Sequence, residues 1–220
     1  MKKLCYLSFV LLITVLSSCS ADKFFANGIS GNDLTHLQLF EPVSAIGIYD
    51  KGNKWQPNDS LSEIAKELII GELKYEPKLD IAETIIFDDS ILNDRLQKEI
   101  EYMMFWAGNK DFRNIKLTPT IDSILDAENE RFGLLALSTG FTRTTENYAA
   151  QIAKGIGIGI LTLGTAVPVP YKEGSTLYLM VVDALNDNIA FFKPSGQQEL
   201  SPIEAYTYQR HLKKLLKRYK

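Results

Sequence analysis

Cysteine is nearly missing from this sequence: there are two, Cys5 and Cys19, both among the first nineteen residues. Beyond them no disulfide can form, so the fold must rest on a hydrophobic core. Histidine is equally scarce, with His36 and His211 alone. A metal centre built from His and Cys ligands is therefore excluded, and no metal or organic cofactor is expected. Nucleotide motifs fail on their essential residues. A dinucleotide fingerprint starting at Gly155 needs glycine where Ile160 stands, and a phosphate-binding loop needs lysine where Thr165 follows Gly164. Nor is there an apolar run long enough to span a bilayer comfortably, which takes roughly 20 residues.

What is present at the N-terminus has the layout of an export signal. Lys2 and Lys3 precede an apolar stretch at 4–16, and small residues then lead to Cys19. Leu16, Ser17, Ser18 and Cys19 resemble a bacterial lipobox. The resemblance implies cleavage before Cys19 and acyl chains, palmitate among them, on that residue. Each buried methylene of such a chain contributes about 0.8 kcal/mol, and more than one chain gives stable attachment. The expected organisation is a signal peptide at 1–18, a lipidated cysteine and tether at 19–39, and one envelope domain at 40–220. Ser20 after the cysteine fits the outer-membrane sorting rule of enterobacterial lipoproteins, so the expected location is the cell envelope, in the outer membrane.

The formal net charge is −3, yet six of the 24 basic residues fall within 210–220, where there is no acid. A basic cluster can seek anionic lipid or an acidic partner. Leu212, Leu215 and Leu216 beneath it have helical spacing, so the cluster also reads as the solvated face of a closing helix. Nucleic acid is not an expected partner outside the cytoplasm.

Periodicity predicts a strand at 43–49, then a turn-rich loop at 50–59 that carries Trp55. Ser60 with Glu63 reads as a capping box for a helix through Leu61, Ile64, Leu68 and Ile69. A second strand is expected at 81–87, followed by a long helix through Leu92, Leu96 and Ile100 capped by Asp89 or Ser90. Pro119 suits the first turn of a short helix containing Ile121, Ile124 and Leu125. The apolar runs 132–137 and 177–182 have the length of strands buried on both faces, and 186–188 joins the second to 189–192 as a hairpin. Ser201 and Pro202 would open the basic helix. The fold class is α/β or α+β: a single domain with a mixed sheet packed by helices, a hairpin near the C-terminus and a final basic helix.

This order of elements, with the runs FGLLALSTGF and LYLMVVDALNDNIAFF, resembles the periplasmic α/β domain of the curli-secretion lipoprotein CsgG and the N-terminal domain of TolB. The resemblance implies a part in envelope assembly or transport and brings no catalytic residue with it.

The most unusual segment is 155–169, GIGIGILTLGTAVPV, which is uncharged throughout. As a strand it would put isoleucines on one face and Gly155, Gly157 and Gly159 on the other. As a helix it would form a small-residue face for close approach of a second helix, and a membrane-touching insertion is the third reading. Trp55 is a candidate recognition residue, with Phe141, Tyr148 and Tyr171 flanking the glycine segment. Ser138, Asp183 and His211 follow the chain order of an α/β-hydrolase triad, with Ala136 where the first elbow glycine belongs. Asp88 with Asp89, and Asp122 with Asp126, Glu128 and Glu130, are the acidic groups to weigh for glycosidase or cation chemistry. The expected function is non-enzymatic: a lipoprotein held on a membrane through Cys19 that binds another envelope protein or copies of itself. A serine hydrolase and a secretion or transport component are the alternatives.

Overall fold

A computed structural model describes residues 22–87 and 89–220. Cys19, the signal segment and Asp88 lie outside the described residues. Among the described residues seven strands form one mixed sheet, as the fold class expected. Its centre is β5 (Phe132–Arg143), flanked on one edge by two strands laid end to end, β1 (Leu37–Phe40) and β2 (Val43–Asp50). Both run parallel to β5, with Leu39 opposite Leu134 and Val43 opposite Leu137. The step at Glu41 and Pro42 therefore carries one extra residue, as a bulge does, and Pro42 has no N–H to offer the ladder. Outside this pair, β3 (Lys54–Pro57) folds back antiparallel on β2, while β4 (Ile81–Ile85) runs parallel to β1. On the other edge of β5 come β6 (Glu173–Asp183) and β7 (Asn188–Pro194), the antiparallel hairpin read from the sequence.

Period-two alternation splits the strand side chains between two cores. From β5, Phe132, Leu134 and Ala136 enter one, and Leu135 and Leu137 the other. Helices cover both faces, which is why the run reads as continuously apolar. The first core is closed by α1 (Asp59–Lys74) through Ala65, Ile69 and Leu73, and later by the C-terminal helix through Tyr208, Leu212 and Leu215. Between them in sequence, α2 (Ser90–Asn109) and α3 (Pro119–Glu128) close the second with Leu96, Ile100, Met103, Ile121 and Leu125. α4 (Thr145–Leu161) leaves the end of β5, and α5 (Ala205–Leu215) is the C-terminal helix. Phe25, Leu34 and Leu37, from the segment expected as a tether, are buried in the first core.

Several local expectations are corrected by chemistry close to them in sequence. Asn58, not Ser60, caps α1, its Oδ1 accepting from the Leu61 N–H at 2.9 Å. Glu63 turns instead to Lys66 at 2.8 Å. Of the two candidates for α2, Asp89 is the cap. Ser201 and Pro202 precede the last helix rather than open it: their carbonyls accept hydrogen bonds from Thr207 Oγ1 at 2.6 Å and Tyr208 OH at 2.7 Å. Trp55 lies on the short edge strand β3, not in a loop.

At the β5–β6 end opposite α4, the Asp183 carboxylate is fully buried and held by Arg131 Nε at 3.0 Å, Arg131 Nη2 at 2.8 Å and Asn186 Nδ2 at 2.7 Å. Removing the guanidinium would strand a buried charge. Because Arg131 is half exposed, replacement by alanine is expected to lower stability by about 2 kcal/mol, less than a wholly buried pair would give. Urea denaturation of Arg131→Ala measures this directly, and an unchanged midpoint would exclude the role.

Candidate interaction surface

α2 and α3 cover only part of their face of the sheet. Towards the end that carries Arg143 and Glu173, the odd-numbered side chains of β2 and β5 are left open. Ala45, Tyr49, Trp55, Thr139, Phe141, Thr176 and Tyr178 line a shallow concavity of about 500 Å³ there. Trp55 lies across Gly47, where any Cβ would run into the indole ring. Glycine at 47 is thus what lets the ring lie flat, and 46% of Trp55 stays exposed. Tyr49 and Phe141 meet edge to face at 5.2 Å, the geometry aromatic quadrupoles favour.

Arg143 ties this shelf to α4. Its guanidinium carbon stands 4.4 Å from the Tyr49 ring centre, Nη1 donates to Asn53 Oδ1 at 2.7 Å and to Asn147 Oδ1 at 2.8 Å, and Nε donates to the Tyr171 carbonyl at 2.8 Å. Asn147 is buried in turn and donates to the Asp50 carbonyl at 2.8 Å. One planar cation therefore joins the β2–β3 turn, the first turn of α4 and the chain returning to β6.

The glycine segment is helical, so the strand reading is withdrawn. Thr144 caps α4, its Oγ1 accepting from the Asn147 N–H at 3.2 Å. At the far end Leu163 and Gly164 take positive φ, and the Gly164 N–H reaches the Gly159 carbonyl at 2.7 Å. The chain then doubles back along the helix. What approaches the small-residue face is this returning extended segment, not a second helix. A Cβ at Gly155 would collide with the Pro168 carbonyl, and one at Gly159 would sit 2.9 Å from Val167 Cγ2; Gly157 faces open space. Glycines that admit the strap leave the larger side chains outside. Ile152, Ile156, Ile160, Leu161, Leu163, Val167 and Val169 are all exposed, Leu163 by 92%.

The remaining sequence candidates are dispersed. Ser138 is buried with its Oγ 3.2 Å from Tyr208 OH. Asp183 belongs to Arg131, and pairs with Phe132 on β5, six residues and about 20 Å along the strand from Ser138. His211 is buried between Ser175 Oγ at 2.9 Å and Gln198 Nε2 at 2.8 Å. The three do not meet, and the hydrolase triad is withdrawn. Asp89 serves as a helix cap, and among the described residues no group of His, Cys, Asp and Glu is gathered that could hold a metal ion. Arg143 and Asn147 were not singled out from the sequence, because nothing local distinguishes a clamp from a surface charge and a helix-start amide.

These features define an α/β sandwich with an aromatic shelf and an apolar projection at one end of its sheet. No family model matches the sequence, and no curated protein matches it. Among solved structures the chain is similar to the C-terminal domain of LpoB from Salmonella enterica, with a TM-score of 0.30 and 8% identity, over 83% of this chain and 100% of that one. A likeness that loose carries neither fold detail nor function across.

Burial, and then Lys214 and Arg210, push the His211 imidazole down to about 4. Its folded value is below the unfolded one, so protons favour the unfolded chain. The His211 contribution to stability is constant above about pH 6.5 and falls as pH drops towards 4, by of order 3 kcal/mol. Chemical denaturation across that range should show the loss in the wild type and a flatter profile in His211→Gln. For α4, Gly157→Ala should raise helix stability by up to about 1 kcal/mol, the usual glycine penalty. Gly155→Ala should instead displace the strap, seen as faster amide exchange across residues 164–170.

Proposed function

We propose that this chain is a membrane-anchored, non-enzymatic envelope lipoprotein that binds a protein partner through the α4 projection and the adjoining aromatic shelf. The observation that carries the reading is the exposed apolar surface formed by Ile152 and the uncharged run 155–169. Exposed apolar surface of this kind is unfavourable in water unless a partner covers it. The shelf adds Trp55, Tyr49 and Phe141, side chains that supply large contact area with little loss of rotamer freedom. The lipobox-like residues Leu16–Cys19 support attachment through acyl chains on Cys19, and Ser20 supports the outer membrane as the location. The order of elements similar to CsgG and TolB supports a place in envelope assembly or transport.

The occupant that fits best is an apolar groove of a second envelope protein. Among the described residues no helix is long and apolar enough to cross a membrane, and α4 presents isoleucines in a stripe at 152, 156 and 160 that suits helix-in-groove recognition. Crosslinking in intact membranes followed by affinity purification tests this. Wild type should recover a discrete envelope protein, and Ile156→Glu with Ile160→Glu should abolish that recovery while leaving thermal stability within about 0.5 kcal/mol, as for exposed positions generally. The same partner recovered by the variant would defeat the proposal, and a crosslinked product containing two copies of this chain would replace it with self-assembly.

A further inference from the structure

At the opposite edge of the sheet from Trp55, the described chain begins. Phe25 bridges antiparallel to Phe191, and the Ala26 N–H donates to the Ala190 carbonyl at 2.8 Å, so the N-terminal segment lies along the outer edge of β7. Five strand spacings separate it from β3, about 24 Å. The Phe25 ring packs on Phe191 at 4.9 Å and on Tyr219 at 5.7 Å, which brings the two ends of the described residues together.

The two ends bring their cations with them. Lys23 Nζ and Lys193 Nζ stand 4.9 and 4.7 Å from the Phe24 ring centre. Lys193 also donates to the Leu215 carbonyl at 2.6 Å, and Lys78 to the Leu216 carbonyl at 2.9 Å, where the C-terminal end of α5 attracts positive charge. Lys214, Lys217 and Arg218 line the same shallow hollow as Phe24 and Phe25. The Lys193 ammonium is held below its usual range by burial and then by repulsion from Arg218, Lys23, Lys217 and Lys78. A chain of net charge −3 gathers Lys23, Lys193, Lys214 and Lys217 around one aromatic ring, five residues after Cys19 in sequence.

We propose that this basic surface around Phe24 rests on an anionic phospholipid bilayer. Headgroup phosphates answer Lys23, Lys214 and Lys217, and the Phe24 ring suits the interfacial depth that aromatic side chains favour. The inference deepens the anchored reading above by adding a second, electrostatic attachment to the acyl chains, and it sets the apolar projection on the side of the domain away from the lipid.

Among the described residues both cores are assembled between Phe25 and Tyr219, so a chain that starts at Ser20 retains every one of those core residues and carries no acyl chains. That chain should float with vesicles of phosphatidylcholine and phosphatidylglycerol in equal parts, stay behind with phosphatidylcholine alone, and be released as salt is raised. Each charge near the surface is worth about a five-fold change in partition, so Lys23→Glu, Lys214→Glu and Lys217→Glu together should reduce binding at least ten-fold. Reversing Lys51, Lys98 and Lys110, exposed elsewhere on the body, should leave it unchanged. Equal partition to both vesicles, or equal losses in the two triple variants, overturns the proposal, as does capture on duplex DNA in preference to vesicles. Palmitate labelling of the full chain, compared with Cys19→Ala, reads the acyl anchor separately: label without vesicle preference removes this surface alone, and vesicle preference without label removes the acyl anchor alone.

Discussion

β5 has no free edge. It is hydrogen-bonded along one side to β6 over its whole length and along the other to β1 and then β2, while its alternate side chains enter two different cores. A slip of one residue would exchange the contents of those cores, so the register of β5 sets the place of every helix packed on either face. The bulge at Glu41 and Pro42 is fixed by the same requirement. Without the extra residue, β2 would present its side chains to the wrong layers, and Tyr49 would not share a face with Phe141.

The apolar strands and amphipathic helices are legible in the sequence because burial on two faces or one leaves a clear periodic trace. The long runs at 132–137 and 177–182, the hairpin after Asp183, and the helices through Ile69, Ile100 and Ile124 all appear as read. What escaped is short or held by distant partners. β1 is four residues long and β3 is exposed throughout, so neither carries a period that could be recognised. The starts of α1 and α5 were misplaced by a few residues, whereas Asp89 caps α2 as one of its two readings had it; several Asn, Asp and Ser side chains compete for the same free N–H groups, and tertiary packing chooses among them.

The candidate site was only half legible. The glycine segment drew attention by composition, but GIGIGI fits a strand and a helix equally, and the returning strap that decides between them lies more than eight residues further on. His211 shows the opposite failure. Its chain order with Ser138 and Asp183 suggested chemistry, whereas its environment is that of a buried neutral ring held by Ser175 and Gln198. Order along a chain is blind to the distance between ends of a strand. The convergence of the segment at Phe24 and the C-terminal residues is likewise invisible without the bridge from Phe25 to Phe191.

Thr142 of β5 and Glu173 of β6 face each other across the last rung of their ladder. Everything between them, α4 and its strap included, is therefore the connection of one antiparallel hairpin, and neither core takes a residue from it. The body of the domain would be complete with a tight turn in its place. The projection is a detachable head on a chassis of strands: its length and apolar pattern can change without disturbing the register that holds the sheet together.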